Sequence, residues 1–204
     1  MYPAFLRLSG RRVVLVGGGL VAEGKLESLL ATGAQVTVVA PDIRPGLERP
    51  GVVIERRRFE AADLDGAWWV VAAAPPDVNR AVLEAAEARR VFVNAVDDPP
   101  NATAFAGGVV RRAGVTIAIS TGGRAPAMAG LLREALDAWL PGDLDRWMDA
   151  ADEARREWRR DGVPMERRRP RLLEMLNRLY EKAQSPKPKP QIPTGDGERA
   201  GNGT

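Results

Sequence analysis

Apolar residues along this chain fall in short runs, separated by stretches in which they recur at helical intervals. Residues 13–16, 35–39, 52–55, 68–73 and 91–96 are rich in Val, Ile, Phe and Trp, and the runs predict five strands. Between the first two, residues 22–30 carry the periodicity of a helix that stops at Thr32-Gly33. Between the fourth and fifth, residues 78–86 do the same, with Asp77 as the expected N-cap. Short strands alternating with helices predict an α/β fold, a doubly wound parallel sheet of the Rossmann type. Such sheets bind ligands outside the carboxyl ends of their strands, so 17–21, 73–76 and 94–98 become candidate positions.

Past residue 103 the pattern changes. Residues 104–110 and 115–120 read as two strands joined through 111–114, and the glycine turn 121–126 opens a helix at 127–136. Residues 144–160 and 171–182 have helical apolar spacing and predict a small helical appendage. The remainder, with its Ser-Pro-Lys-Pro-Lys-Pro run and many glycines, offers little to bury and is expected to be disordered.

The turn after the first strand carries the sharpest chemistry. Gly17, Gly19 and Ala22 occupy the small positions of a G-x-G-x-x-A pattern between a strand and a helix. Gly17 permits the turn, Gly19 lets backbone approach a pyrophosphate, and Ala22 lets helix and strand pack closely; the helix N-terminus supplies unpaired N–H groups. Asp42, twenty residues after Ala22 by sequence number, stands close to where an acid would hold the ribose hydroxyls of NAD, with Pro41 intervening at the strand tip; a loop Asp capping a turn is the other reading. Arg44 follows and could instead meet the 2′-phosphate of NADP. The lean is toward NAD.

Composition narrows the chemistry. The 204 residues have room for one full domain and a smaller appendage, and a hydrophobic content of 45% is ordinary for a globular protein. There are no cysteines and no histidines, so acid–base work falls to Asp, Glu, Lys or Tyr, and no metal site is assigned. With no signal-peptide pattern and no apolar run near the ~20 residues of a membrane span, a cytoplasmic location without membrane attachment is expected. Net charge is only +3, and acids interrupt most of the Arg clusters. That favours an exposed mixed-charge helix surface over a nucleic-acid footprint and leaves a small polyanionic substrate as a further reading.

The order of motifs adds a resemblance. Tyr2-Pro3-Ala4-Phe5-Leu6-Arg7-Leu8 leads into the first strand, and Gly17-Gly18-Gly19-Leu20-Val21-Ala22-Glu23-Gly24-Lys25 opens the first helix. Val93-Asn94-Ala95-Val96-Asp97-Asp98-Pro99 ends the fifth strand, and Ile117-Ala118-Ile119-Ser120-Thr121-Gly122-Gly123 leads to Pro126 and Leu131-Leu132-Arg133-Glu134. Over residues 2–180 this resembles precorrin-2 dehydrogenase, the NAD-dependent module of sirohaem synthase. The resemblance implies oxidation of precorrin-2 to sirohydrochlorin with NAD+ as acceptor and, in some members, Fe2+ insertion to give sirohaem. It implies a homodimer and the division 1–110 NAD-binding domain, 111–142 dimerisation segment (a small α+β piece), 143–183 helical domain and 184–204 tail. The methyltransferase domain fused in bifunctional bacterial enzymes is expected to be absent.

The family's catalytic Asp falls on Asp97, and its cofactor contacts fall on Gly17, Gly18, Gly19, Leu20, Val21, Pro41 and Asp42. Asp98 could raise the pKa of Asp97 if both carboxylates pointed inward. The substrate's acetate and propionate arms call for Arg forks and helix N-termini, which selects Thr121, Gly122, Gly123, Arg124, Arg111 and Arg112, with Arg133 nearby in sequence. The chain departs from the family pattern at Leu20, Gly24, Ala125 and Gly130, and residues 97–105 run one residue longer. A non-catalytic NAD(H)-binding regulatory module is the alternative reading; it accounts for the first hundred residues but not for the turn at 120–123 and the helix beyond it.

Overall fold

The computed structural model describes residues 1–184, with side chains through 178. The tail expected over 184–204 lies, apart from Gln184, outside the described residues. Seven strands, β1 (Arg12–Val16), β2 (Gln35–Val39), β3 (Val53–Glu55), β4 (Trp69–Ala72), β5 (Phe92–Ala95), β6 (Gly108–Arg112) and β7 (Val115–Ile119), run in chain order with five helices, α1 (Leu20–Leu30), α2 (Pro76–Glu87), α3 (Pro126–Trp139), α4 (Leu144–Arg160) and α5 (Met165–Gln184).

The first five strands form one sheet in the order β3-β2-β1-β4-β5, with every pairing parallel. The reversal of winding falls between β1 and β4, and that is where a doubly wound sheet opens its ligand crevice. Alternation along β1 explains its unbroken apolar run. Val14 and Val16 face α2 through Val82, Ala85 and Ala86; Val13 and Leu15 face Ala22, Leu26 and Leu29 of α1. A strand covered on both faces has no polar side to show. Each Val and Leu among them contributes about 1.5–3 kcal/mol on burial.

Several boundaries moved from their expected places. Helix α1 begins at Leu20 rather than residue 22, with Gly19 as its extended N-cap. Asp77 lies inside the first turn of α2, because Pro75 is the cap and Pro76 the first helical residue. The strand expected at 104–110 begins only at Gly108. Residues 103 and 104 instead lie along the outer edge of β5, where the Thr103 and Ala104 amides both donate to the Val93 carbonyl and Val93 N–H donates to Thr103 Oγ1. Arg111 and Arg112, expected in a connecting loop, belong to β6. The reversal is made by Ala113 and Gly114 alone, both at positive φ, as a two-residue hairpin turn demands. Helix α5 starts six residues earlier than its apolar spacing implied and carries Pro170 within it.

The contacts group Met1–Arg111 with Val115–Leu140, and separately group Arg112–Gly114 with the described residues from Pro141 onward. In the second group α4 packs on α5. Among the described residues no helix is long and apolar enough to cross a membrane.

Candidate functional site

All five strands of the sheet are parallel, so the segments after β1, β2, β4 and β5 emerge along one edge. The glycine turn lies at its centre. Gly17 has φ +132°, donates to the Val39 carbonyl at 3.0 Å, and faces the Ala73 carbonyl so closely that a Cβ would collide with it. Gly18 is packed in the same way against the Asp42 carbonyl. Both glycines are therefore needed for backbone-to-backbone approach between strand tips. Gly19 differs: a Cβ there would meet only open space. That opening sits over the first turn of α1, whose leading N–H groups have no partner inside the helix. Leu20 and Val21 flank it, both exposed, while Ala22 is fully buried against the sheet. The residues present fit a diphosphate, with room above Gly19 and donors beneath.

The loop after β2 is tied to this turn. Arg44 N–H donates to the Gly18 carbonyl at 3.0 Å. Pro41 and Asp42 are exposed beside it. Arg44 Nε donates to Glu23 Oε2 at 3.0 Å, an ion pair from the loop to the first turn of α1. Gly46 makes room for it, since a side chain there would strike the Glu23 carboxylate. Arg44 is a candidate from the sequence, whereas its partner Glu23 is not. An acid one turn into a helix, opposite a loop arginine, was the signal available.

After β5 the two neighbouring acids separate. Val96 N–H donates to the Ala72 carbonyl, and Asp97 then takes a left-handed backbone with φ +55° and an exposed side chain. Asp98 turns the other way. Its Oδ2 accepts from Asn101 Nδ2 at 2.8 Å and from Asn79 Nδ2 at 3.0 Å, and these bonds, Asn101 first, hold its carboxyl below the usual range. Asp98 is thus anchored in the loop, and the two carboxylates do not point inward together. Asn79 also accepts from the Ala74 amide, so one buried side chain joins the tips of β4 and β5. Sequence reasoning missed Asn79, although a polar residue three before Val82 and seven before Ala86 breaks the apolar stripe of α2.

The Thr121 turn arrives at the same loop. A methyl group on Gly123 would lie 3.3 Å from Pro99 Cγ, two residues beyond Asp97. Part of the turn is internally bonded: Thr121 Oγ1 accepts from Ala125 N–H, and Gly122 N–H donates to Ser120 Oγ. Arg124 is exposed at the mouth of α3. Arg111 and Arg112 are not brought to it. They stand at the turn end of the β6–β7 hairpin, about four residues or roughly 13 Å of strand from the open end where Thr121 follows β7. A mainly apolar groove of about 640 Å³ is lined by residues 1–6 together with Phe92, Phe105, Ile119 and Ser120, next to the turn.

Comparison with known proteins places the chain among relatives. Residues 4–108 match the family model described as "Putative NAD(P)-binding". Siroheme synthase 3 of Aeromonas hydrophila is 44% identical over 147 residues, 70% of this chain and 31% of the relative. Siroheme synthase 2 of Cronobacter sakazakii is 40% identical over 172 residues, 82% of this chain and 38% of the relative. The chain therefore spans about a third of the length of these relatives. Among solved structures, "SirC, precorrin-2 dehydrogenase" superposes with a TM-score of 0.70 at 24% identity, covering 89% of this chain and 92% of that one, which supports the Rossmann-type fold. Through residues 4–108 the chain belongs to the putative NAD(P)-binding family, and the resemblance to the dehydrogenase module of sirohaem synthase read from its motifs holds.

Proposed function

We propose that this protein is an NAD-dependent dehydrogenase that oxidises precorrin-2 to sirohydrochlorin, working as a homodimer. The observation that carries the reading is the convergence at one sheet edge. The open glycine turn, the Asp42 loop and Asp97 share that edge, and the Thr121 turn packs against the loop that follows Asp97. The names of the siroheme synthase relatives and of the precorrin-2 dehydrogenase neighbour support the choice of substrate.

In this reading Gly17, Gly18 and Gly19, with the amides at Leu20 and Val21, hold the diphosphate, and Pro41 and Asp42 hold the ribose. The acid at the second strand tip favours NAD over NADP. Bound nicotinamide supplies the hydride acceptor. Oxidation of the macrocycle also releases a proton, and the Asp97 carboxylate, exposed on a left-handed backbone at the strand tip, takes it. Thr121, Gly122, Gly123 and Arg124 receive a substrate carboxylate beside α3, and Arg111 and Arg112 stand far enough off to meet a different arm. Fe2+ insertion is the further activity the resemblance implies. With no His or Cys in the chain, it would rest on carboxylates such as Asp97 drawing protons from the macrocycle nitrogens.

The test is turnover of precorrin-2 with NAD+, followed by NADH absorbance and the sirohydrochlorin spectrum. Asp97→Asn should lower the rate by about 10²–10⁴-fold while leaving the melting temperature in place. A wild-type protein that forms no sirohydrochlorin refutes the reading. An Asp97→Asn variant with undiminished turnover refutes only the base. Adding Fe2+ or Co2+ to the same mixture reads out insertion.

A further inference from the structure

In a strand–turn–helix nucleotide site, an acid near the second strand tip meets the free ribose hydroxyls, whereas an arginine there accommodates a 2′-phosphate. This chain holds both within three positions, Asp42 and Arg44, so neither residue alone decides between the two dinucleotides. Arg44 is well placed for a phosphate. Its N–H is pinned to the Gly18 carbonyl, so its side chain emerges beside the glycine turn, and that side chain is 54% exposed. Its Nε, however, donates to Glu23 at 3.0 Å.

Glu23 is well settled without a partner. It stands in the first turn of α1, where the helix dipole favours an anion. It also lies against Gly46, whose lack of a side chain leaves the carboxylate its place. We propose that Glu23 is a specificity-determining residue: by pairing with Arg44 it offsets the positive charge a 2′-phosphate would need, leaves Asp42 to meet free ribose hydroxyls, and so favours the unphosphorylated dinucleotide. The inference rests on the dinucleotide reading of the glycine turn.

The physical case is a competition. A 2′-phosphate carries between one and two negative charges at neutral pH. Glu23 takes only Nε, so a 2′-phosphate that forks onto the two Nη atoms must share the guanidinium charge with the Glu23 carboxylate and accept repulsion from both Glu23 and Asp42. Because the pair is partly exposed, each contribution is modest, and together they amount to about a three- to tenfold bias rather than an absolute block.

The experiment measures dissociation constants of NAD+ and NADP+ for the full chain as wild type, Glu23→Gln, Arg44→Gln and the double variant. The readout is the ratio of the two constants, and NAD+ binding by each variant reports that it is folded. The wild type should prefer NAD+. Glu23→Gln should shift the ratio toward NADP+ by about three- to tenfold, and more at low salt than at high. Most of that gain should vanish when Arg44 is also replaced. A ratio unmoved by Glu23→Gln overturns the inference, as does an equal gain with and without Arg44, and so does a wild type that prefers NADP+. A wild type that binds neither nucleotide overturns the dinucleotide reading itself, and the inference falls with it.

Discussion

Glycine means different things at three adjacent positions. Gly17 and Gly18 are required by neighbouring backbone, Ala73 and Asp42 respectively, whereas Gly19 borders open space. Gly18→Ala should therefore cost stability, about 1–3 kcal/mol or more, because carbonyl backbone cannot swing aside as a side chain can. Gly19→Ala should melt like the wild type and yet weaken dinucleotide binding by a comparable 1–3 kcal/mol, since its methyl would occupy the room left for the diphosphate. Thermal melts paired with NADH fluorescence titrations separate the two; a Gly19→Ala protein that binds as tightly as wild type would remove Gly19 from the cofactor site. The G-x-G-x-x-A pattern was legible in the sequence, but it did not show that Gly17 and Gly18 are crowded by the Ala73 and Asp42 carbonyls. Its spacing records where small residues are needed, while the identity of each crowding neighbour depends on strands 20 to 60 residues away.

At the scale of elements, the tips of β4 and β5 are joined by a polar clamp as well as by apolar packing. Asn79 on α2 donates to Asp98 and accepts from the Ala74 amide, while Asn101 completes the carboxylate's partners. Those bonds depress the folded-state pKa of Asp98 below its unfolded value near 3.9. The stabilisation is therefore fully present above about pH 4 and is lost as pH falls through the lower folded value. Urea unfolding from pH 6 down to pH 2.5 should show Asp98→Ala destabilised at the upper end, with its deficit against wild type shrinking in acid. A deficit constant with pH would show that the carboxylate's charge is not what the clamp holds. The five sheet strands and both flanking helices were readable from period and apolar content. The strand expected at 104–110 was not placed correctly, because Thr103 and Ala104 are claimed by the edge of β5. Local pattern cannot report that a strand edge elsewhere needs covering.

For the whole molecule, the homodimer proposed above has a visible surface to use. Met128, Leu131, Leu132 and Trp139 of α3 are 51%, 62%, 43% and 77% exposed, an apolar stripe at helical spacing that the fold leaves open. Leu131→Glu with Trp139→Glu should shift the protein to monomer in analytical ultracentrifugation without unfolding the sheet domain; a double variant that sediments like wild type would place the dimer surface elsewhere. The sequence by itself determined the parallel sheet, the dinucleotide turn and the pair of acids after β5. Each of these is written in contiguous residues, where alternation, helical period and glycine spacing act over a few positions. Only the tertiary structure decided that Asp98 is clamped while Asp97 is presented. It likewise decided that Glu23 holds Arg44, that Gly123 lies against Pro99, and that Arg111 and Arg112 sit a strand's length from Thr121. Those outcomes depend on which strand tips become neighbours once two apolar faces are buried, and that is a property of the packed sheet rather than of any one segment.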